Sequence, residues 1–125
     1  RLSGSSGARQ KREMNKGLNK VLLIGQVDGL VEIRRMPNGR PVAAFTLAVP
    51  RNWTSAEGEH FEETEWFNVV AWGSLAEVCE KRLTSETFLY LEGRLQTRSW
   101  DDNAGRKHFR TEVVAQEIIT LSNSA

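Results

Sequence analysis

Residues 64–100 read TEWFNVVAWGSLAEVCEKRLTSETFLYLEGRLQTRSW, and the hydrophobic period changes twice along them. In residues 64–72 the period is two. Phe67, Val69 and Ala71 share one face, and Trp66, Asn68, Val70 and Trp72 share the other, which is the pattern of a strand. From Ser74 the period lengthens. Leu75, Val78, Cys79 and Leu83 recur at helical spacing, and Ser74 with Glu77 three residues on matches a capping box, so the spacing predicts a helix over residues 74–83. Residues 88–100 return to a strand, broken by Gly93.

Upstream, residues 19–27 hold Val21, Leu22, Leu23 and Ile24, followed by Gly25, whose place inside a strand suggests a bend or bulge. Residues 31–35 alternate. Met36-Pro37-Asn38-Gly39 is a strong turn signal. Residues 42–49 are a mostly apolar strand closed by Pro50, and residues 51–63 read as a long polar loop containing Gly58. Downstream, residues 101–105 (DDNAG) are a hairpin turn, and residues 107–115 a return strand with an apolar extension at Ile118, Ile119 and Leu121. Three strands, a short helix and two more strands is the order of an all-β OB-fold, a five-stranded Greek-key barrel with its helix between the third and fourth strands.

The chain's 125 residues suit one domain. We place it at residues 14–121. Residues 1–13 form a linker or tag-like extension, since Ser3-Gly4-Ser5-Ser6-Gly7 is linker composition and Met14 reads like a natural start. The remainder of an organellar transit peptide is the other reading, because the segment is rich in Arg and Ser and poor in acids. Residues 122–125 are a short stub. No stretch approaches the ~20 consecutive apolar residues of a spanning helix, so no membrane is expected. One cysteine, Cys79, excludes an internal disulfide framework and a multi-cysteine zinc site.

A net charge of +1 hides an asymmetry. Residues 1–20 carry six basic residues against one acid, and the body carries eleven against fifteen, a net of −4. Five of those acids, Glu57, Glu59, Glu62, Glu63 and Glu65, crowd one stretch. Charge alone therefore argues against a nucleic-acid role for the body.

Enzyme signatures are scarce. There is no phosphate-binding G-x-x-x-x-G-K-[S/T] loop. His60 with Glu59 and Glu62 could in principle hold a cation, but a solvated loop explains them. Cys79 on the apolar side of the helix reads as a buried structural thiol. Asp101 and Asp102 are explained by the turn before Gly105. We expect no enzyme activity, no metal and no cofactor.

Four tryptophans stand out, at positions 53, 66, 72 and 100. In residues 88–100, Leu91 and Leu95 are expected to face the core, which leaves Arg94, Gln96, Arg98 and Trp100 exposed on the other face. An indole stacks on any nucleobase, worth about 1–3 kcal/mol per base, and an arginine beside it neutralises phosphate or stacks itself. Single strands suit such a face better than duplex, whose bases are already stacked. The competing reading is that the tryptophans are core; it is strongest for a lone Trp, and Trp53 in its loop is the least decided by this logic.

Several motifs agree in order and spacing: Asn19-Lys20-Val21 with Gly25, Met36-Pro37-Asn38-Gly39, Phe45-Thr46-Leu47-Ala48, Gly58-Glu59, Thr64-Glu65-Trp66, Gly73-Ser74-Leu75-Ala76-Glu77, Glu92-Gly93-Arg94-Leu95 and Arg98-Ser99-Trp100-Asp101. Over residues 15–121 the chain resembles the bacterial-type single-stranded DNA-binding proteins, also found in mitochondria and plastids. The resemblance implies a homotetramer around which single-stranded DNA wraps, and base stacking at Trp53, Trp66, Trp72 and Trp100. Position 72 is commonly Phe in the family. It also implies DNA-facing cations at Lys20, Arg34, Arg51 and Arg98, whereas Arg94 rests on strand-face geometry alone. Gln96, Ser99 and Ser74 stand where many relatives carry a cation, so a shallower salt dependence is expected.

Family members usually continue into a linker and an acidic tip that recruits replication and repair proteins. Those partners are expected here only where such a tail follows residue 125. The expected function is sequence-independent binding and protection of single-stranded DNA in replication, recombination and repair, in the bacterial cytoplasm and nucleoid or in an organelle. A dimeric primosome-type or RNA-binding OB adaptor is the alternative.

Overall fold

A computed structural model describes residues 16–121. The predicted extension at residues 1–13 and stub at residues 122–125 lie outside the described residues. The elements follow the predicted order: β1 (Val21–Arg35), β2 (Pro41–Thr54), β3 (His60–Trp72), α1 (Ser74–Arg82), β4 (Phe88–Asp101) and β5 (Lys107–Thr120). The strands close into a barrel in the order β1-β2-β3-β5-β4. All neighbours are antiparallel except β3 and β5, which meet in parallel at Val69↔Val113 and Val70↔Val114. Closure leaves no open sheet edge within the barrel itself.

The core is built from inward positions of each strand. Val27, Phe45, Leu47, Val69, Leu89, Leu91 and Val113 are buried together, and α1 adds Ala76 and Cys79, followed by Leu83. Burial pushes the Cys79 thiol up to about 11 and keeps it protonated at neutral pH, as a structural thiol requires. Val78, expected on the apolar side of the helix, is exposed.

Five local expectations are corrected. Gly25 marks no bulge, because it pairs in register with Leu89, and the irregularity in β1 falls between Asp28 and Glu32. Gly25 is instead a point of close approach, where a Cβ would run into the carbonyl oxygen of Ala48. Gly93 likewise approaches the carbonyl of Val114, and there the β4–β5 register does shift, between Glu92 and Gly93. Second, Ser74 does not cap α1. Gly73 takes the N-cap position at φ 65°, ψ −134°, without a side-chain cap hydrogen bond, and its N–H donates to the Pro41 carbonyl at 3.0 Å. The chain turns straight out of β3 there, through a backbone conformation that suits glycine.

Third, residues 51–63 are not one long loop. β2 runs on to Thr54 and β3 starts at His60, with Arg51↔Glu63, Asn52↔Glu62, Trp53↔Phe61 and Thr54↔His60 in register. The connection shrinks to residues 55–59, closed by the Ser55 N–H donating to the Glu59 carbonyl at 2.8 Å. Fourth, Pro50 does not end β2; it pairs with Thr64. β1 pairs with β2 only as far as Ala48, so at Pro50 one side of β2 needs no donor and proline is tolerated. Fifth, Leu95 is 45% exposed rather than buried, although Leu91 is fully buried. At Leu95 the β4–β5 ladder is leaving the barrel, and the Asn19 carboxamide caps its backbone with two hydrogen bonds of 2.9 Å.

The result is a barrel with two projecting ladders, one from β2–β3 and one from β4–β5.

Candidate nucleic-acid interface

Directly opposite residues share a face, so the register assigns every candidate side chain to one side of the sheet. On the outer face, Arg34 pairs with Val42, Val42 with Trp72, Ala44 with Val70 and Thr46 with Asn68. Across the barrel seam the same face continues through Gln96↔Glu112 and Arg98↔Arg110 to Trp100↔His108. All of these except Trp100 and His108 line a groove of about 380 Å³, with Val42, Ala44, Val70 and Trp72 as apolar wall, Arg34, Arg98 and Arg110 as cations, and Glu32 and Glu112 as acids.

Arg34, Trp72 and Arg98, predicted separately, are thus brought together, with Gln96 among them. Trp66 lies farther along the outer face of β3 and is the most exposed tryptophan, at 61%. Trp100 lies beyond Arg98 on the same face of β4, with the Arg98 guanidinium 5.6 Å from its ring centroid. Arg94 shares that face of β4 but sits opposite Val114, outside the groove. Lys20 lies apart from it too, its ammonium 3.7 Å from Glu92.

Trp53 and Arg51 occupy a different setting. The β2–β3 register is unbroken, and Trp53 faces Phe61 whereas Trp66 faces Ala48. Trp53 and Trp66 therefore project from opposite faces of that ladder. Trp53 stacks on Phe61 with ring centroids 5.3 Å apart and planes 18° apart, and the Arg51 guanidinium lies 4.4 Å over its ring. Arg51 also reaches Glu63 at 3.4 Å. None of the four tryptophans is buried.

Several neighbours of the candidate residues escaped the sequence reading. Arg40 lies over Trp72 at 5.1 Å. His108 stacks on Trp100 at 5.6 Å, with planes 18° apart. Its Nε2 lies 2.7 Å from Asp102 Oδ2. Asp102 also accepts the backbone N–H groups of Ala104 at 2.9 Å and Arg106 at 2.8 Å. The His108 hydrogen bond, reinforced by these backbone donors, holds the Asp102 carboxyl below the usual carboxylate range. The remaining missed neighbour is Glu112, 5% exposed in the groove floor, 3.2 Å from Arg98 and 4.0 Å from Arg110. For the β4–β5 residues among them, a signal existed in the turn at residues 101–105. Once it sets Trp100 opposite His108, period two places Arg110 and Glu112 beside Arg98 and Gln96.

Residues 18–121 match the model of the Single-strand binding protein family. The chain belongs to that family. It is 45% identical over 109 residues to Single-stranded DNA-binding protein 1 of Chlorobaculum tepidum, covering 86% of this chain and 67% of that one. Its fold is similar to the Plasmodium falciparum SSB solved in complex with ssDNA, with a TM-score of 0.80 and 29% identity, covering 86% of this chain and 98% of the other. A deletion mutant of the single-stranded DNA binding protein from Thermus aquaticus matches with a TM-score of 0.77 and 29% identity, covering 88% of this chain and 53% of that one. The OB barrel expected from element order is therefore the family's fold. The family is a non-enzymatic, DNA-binding one. Among the described residues no helix is long and apolar enough to cross a membrane.

Proposed function

We propose that the chain binds single-stranded DNA without regard to sequence and protects it during replication, recombination and repair, in a bacterial cytoplasm and nucleoid. Trp53, Trp66, Trp72 and Trp100 stack bases. Arg34, Arg51 and Arg98 neutralise phosphates, with Lys20 and Arg94 contributing from the flank. The observation that carries this reading is the repeated pairing of a surface indole with a guanidinium, Arg40 with Trp72, Arg51 with Trp53 and Arg98 with Trp100. Stacking is indifferent to base identity because every base has a π-face. It also answers the charge objection: binding rests on local cations and indoles, so a body of net −4 is no obstacle.

The test is a titration with poly(dT). Tryptophan emission should fall by a large fraction and saturate, and unchanged emission at saturating DNA would remove the stacking assignment.

The same reading includes assembly into a homotetramer. Its support is an apolar stripe across the outer face of β1, β4 and β5, where Ile24 faces Tyr90 and Tyr90 faces Ile119. Leu22, Ile24 and Ile119 are all about half exposed, an arrangement suited to a second copy of the chain. Native mass measurement should give four copies, and more with a ~70-mer of dT bound than one barrel's ~4–16-nucleotide site could explain. A dimer with a short footprint would instead support the adaptor reading.

A further inference from the structure

Glu112 is the one charged side chain buried among the described residues, and it sits in the floor of the groove that the preceding reading assigns to DNA. A carboxylate there is costly unless it is paired. Arg98 and Arg110 supply the pairing at 3.2 and 4.0 Å, and the two arginines are directly opposite each other in the β4–β5 ladder. Without Glu112 between them, two like charges would face one another at one rung, which is unfavourable. The geometry of the three is that of an anion seat with its anion already in place.

We propose that Glu112 is an internal stand-in for phosphate, a positioning residue that holds Arg98 and Arg110 over the groove in the free protein and competes with the DNA backbone for them. The inference rests on the DNA-binding reading above. Both arginines are about half exposed at their side chains, whereas Glu112 is not, so the guanidiniums can swing outward and the carboxylate cannot follow. A strand entering the groove takes one or both arginines from Glu112. The uncompensated carboxylate then repels phosphate from the floor and leaves it to the bases, against Val42, Ala44, Val70 and Trp72. Glu112 thereby lowers affinity and flattens its salt dependence, because arginines already neutralised contribute less to counterion release.

The experiment compares the full chain with its Glu112→Gln variant, using dT oligomer as probe and reading stability and affinity separately. The variant keeps the shape and loses the charge. Stability should fall, because Arg98 and Arg110 lose their common partner. Affinity at low salt should rise roughly two- to fivefold, the scale of an ion pair whose arginine is half exposed. The log K against log[salt] slope should steepen by about 0.7 for each additional phosphate neutralised on a single strand. Lower stability together with unchanged or weaker binding and an unchanged slope would make Glu112 a structural residue only and overturn the proposal. If the unmodified chain fails to bind dT at all, the DNA-binding reading itself falls. Should the variant not fold, a structure of the unmodified chain with the oligomer decides: Arg98 turned from Glu112 to a phosphate supports the proposal, and Arg98 still on Glu112 with no phosphate in reach overturns it.

Discussion

The two ladders that leave the barrel are built on one plan and finished differently. Each carries an arginine, a tryptophan two residues on, and an aromatic ring directly opposite that tryptophan: Arg51, Trp53 and Phe61 on β2–β3, Arg98, Trp100 and His108 on β4–β5. Each arginine also meets a glutamate. Glu63 on the first arm is 57% exposed at its side chain, whereas Glu112 on the second is 6% exposed. The first arm is thus a solvated device whose charges are screened. The second continues the groove floor, where one buried carboxylate, Glu112, holds two half-exposed arginines, and it carries an imidazole hydrogen-bonded to a carboxylate at its tip. Aromatic stacking alone does not require the interior of a protein, but a fixed charge pattern does.

The largest difference is expected in the indoles themselves. Removing a stacking tryptophan costs about 1–3 kcal/mol per base. Trp100→Ala should fall toward the upper end and Trp53→Ala toward the lower. At Trp53 the guanidinium of Arg51 already lies 4.4 Å over the ring, and a base must displace a cation–π contact worth about 0.5–1 kcal/mol. At Trp100 the corresponding cation stands off at 5.6 Å. Anisotropy of a labelled dT oligomer measures both variants. Equal losses, or the larger loss at Trp53, would break the contrast between the arms.

A second difference is pH. Asp102 is held below its ordinary range first by His108 and then by backbone donors at Arg106 and Ala104. A carboxylate lowered in the folded state contributes order that is fully present above its unfolded value near ~3.9, and that order is lost as pH falls through the lower folded value. The β4–β5 tip should therefore hold from neutral pH down to about 4 and loosen only in stronger acid. With Trp100 as sole indole, emission should shift in that window, while a chain reporting from Trp53 alone should not shift with it. Asp102→Asn should abolish the Trp100 response. A matching shift at Trp53 would point to general acid unfolding instead.

How much of this was legible in the sequence follows from what water does to each part. Where one face is buried, the apolar period is visible. Residues 64–72, the helix that follows, and the turns at Asn38-Gly39 and residues 101–105 announced the barrel's element order, and period two placed Trp66 with Trp72 on one face of their strand and Arg98 with Trp100 on one face of theirs. The β2–β3 arm has no buried face. Along Arg51, Asn52, Trp53 and Thr54 against Glu63, Glu62, Phe61 and His60 both sides are wet, so no alternation distinguishes a strand from a polar loop. Their pairing rests on backbone hydrogen bonds and cross-strand partners. Ser74-Leu75-Ala76-Glu77 misled for another reason. The motif was present, but the chain leaves β3 so abruptly that Gly73 takes the cap. Phe61, His108 and Glu112 gain meaning only through register, which single-strand periodicity does not report.

The smallest effect tests the solvated character of the first arm most directly. Arg51 and Glu63 meet at 3.4 Å with both side chains more than half exposed. Such a pair gains little, because water screens the attraction and two long side chains lose rotamer freedom. A double-mutant cycle with Arg51→Gln and Glu63→Gln should return a coupling of about 0.2–1 kcal/mol in stability, fading as salt is added. Glu63→Gln alone should leave the slope of DNA affinity against salt nearly unchanged, in contrast to Glu112→Gln, because a carboxylate already in water does not keep Arg51 from a phosphate. A coupling well above 1 kcal/mol, or a steepened slope in Glu63→Gln, would mean that Glu63 restrains its arginine as Glu112 does. Burial of the acid would then no longer be what separates the two arms.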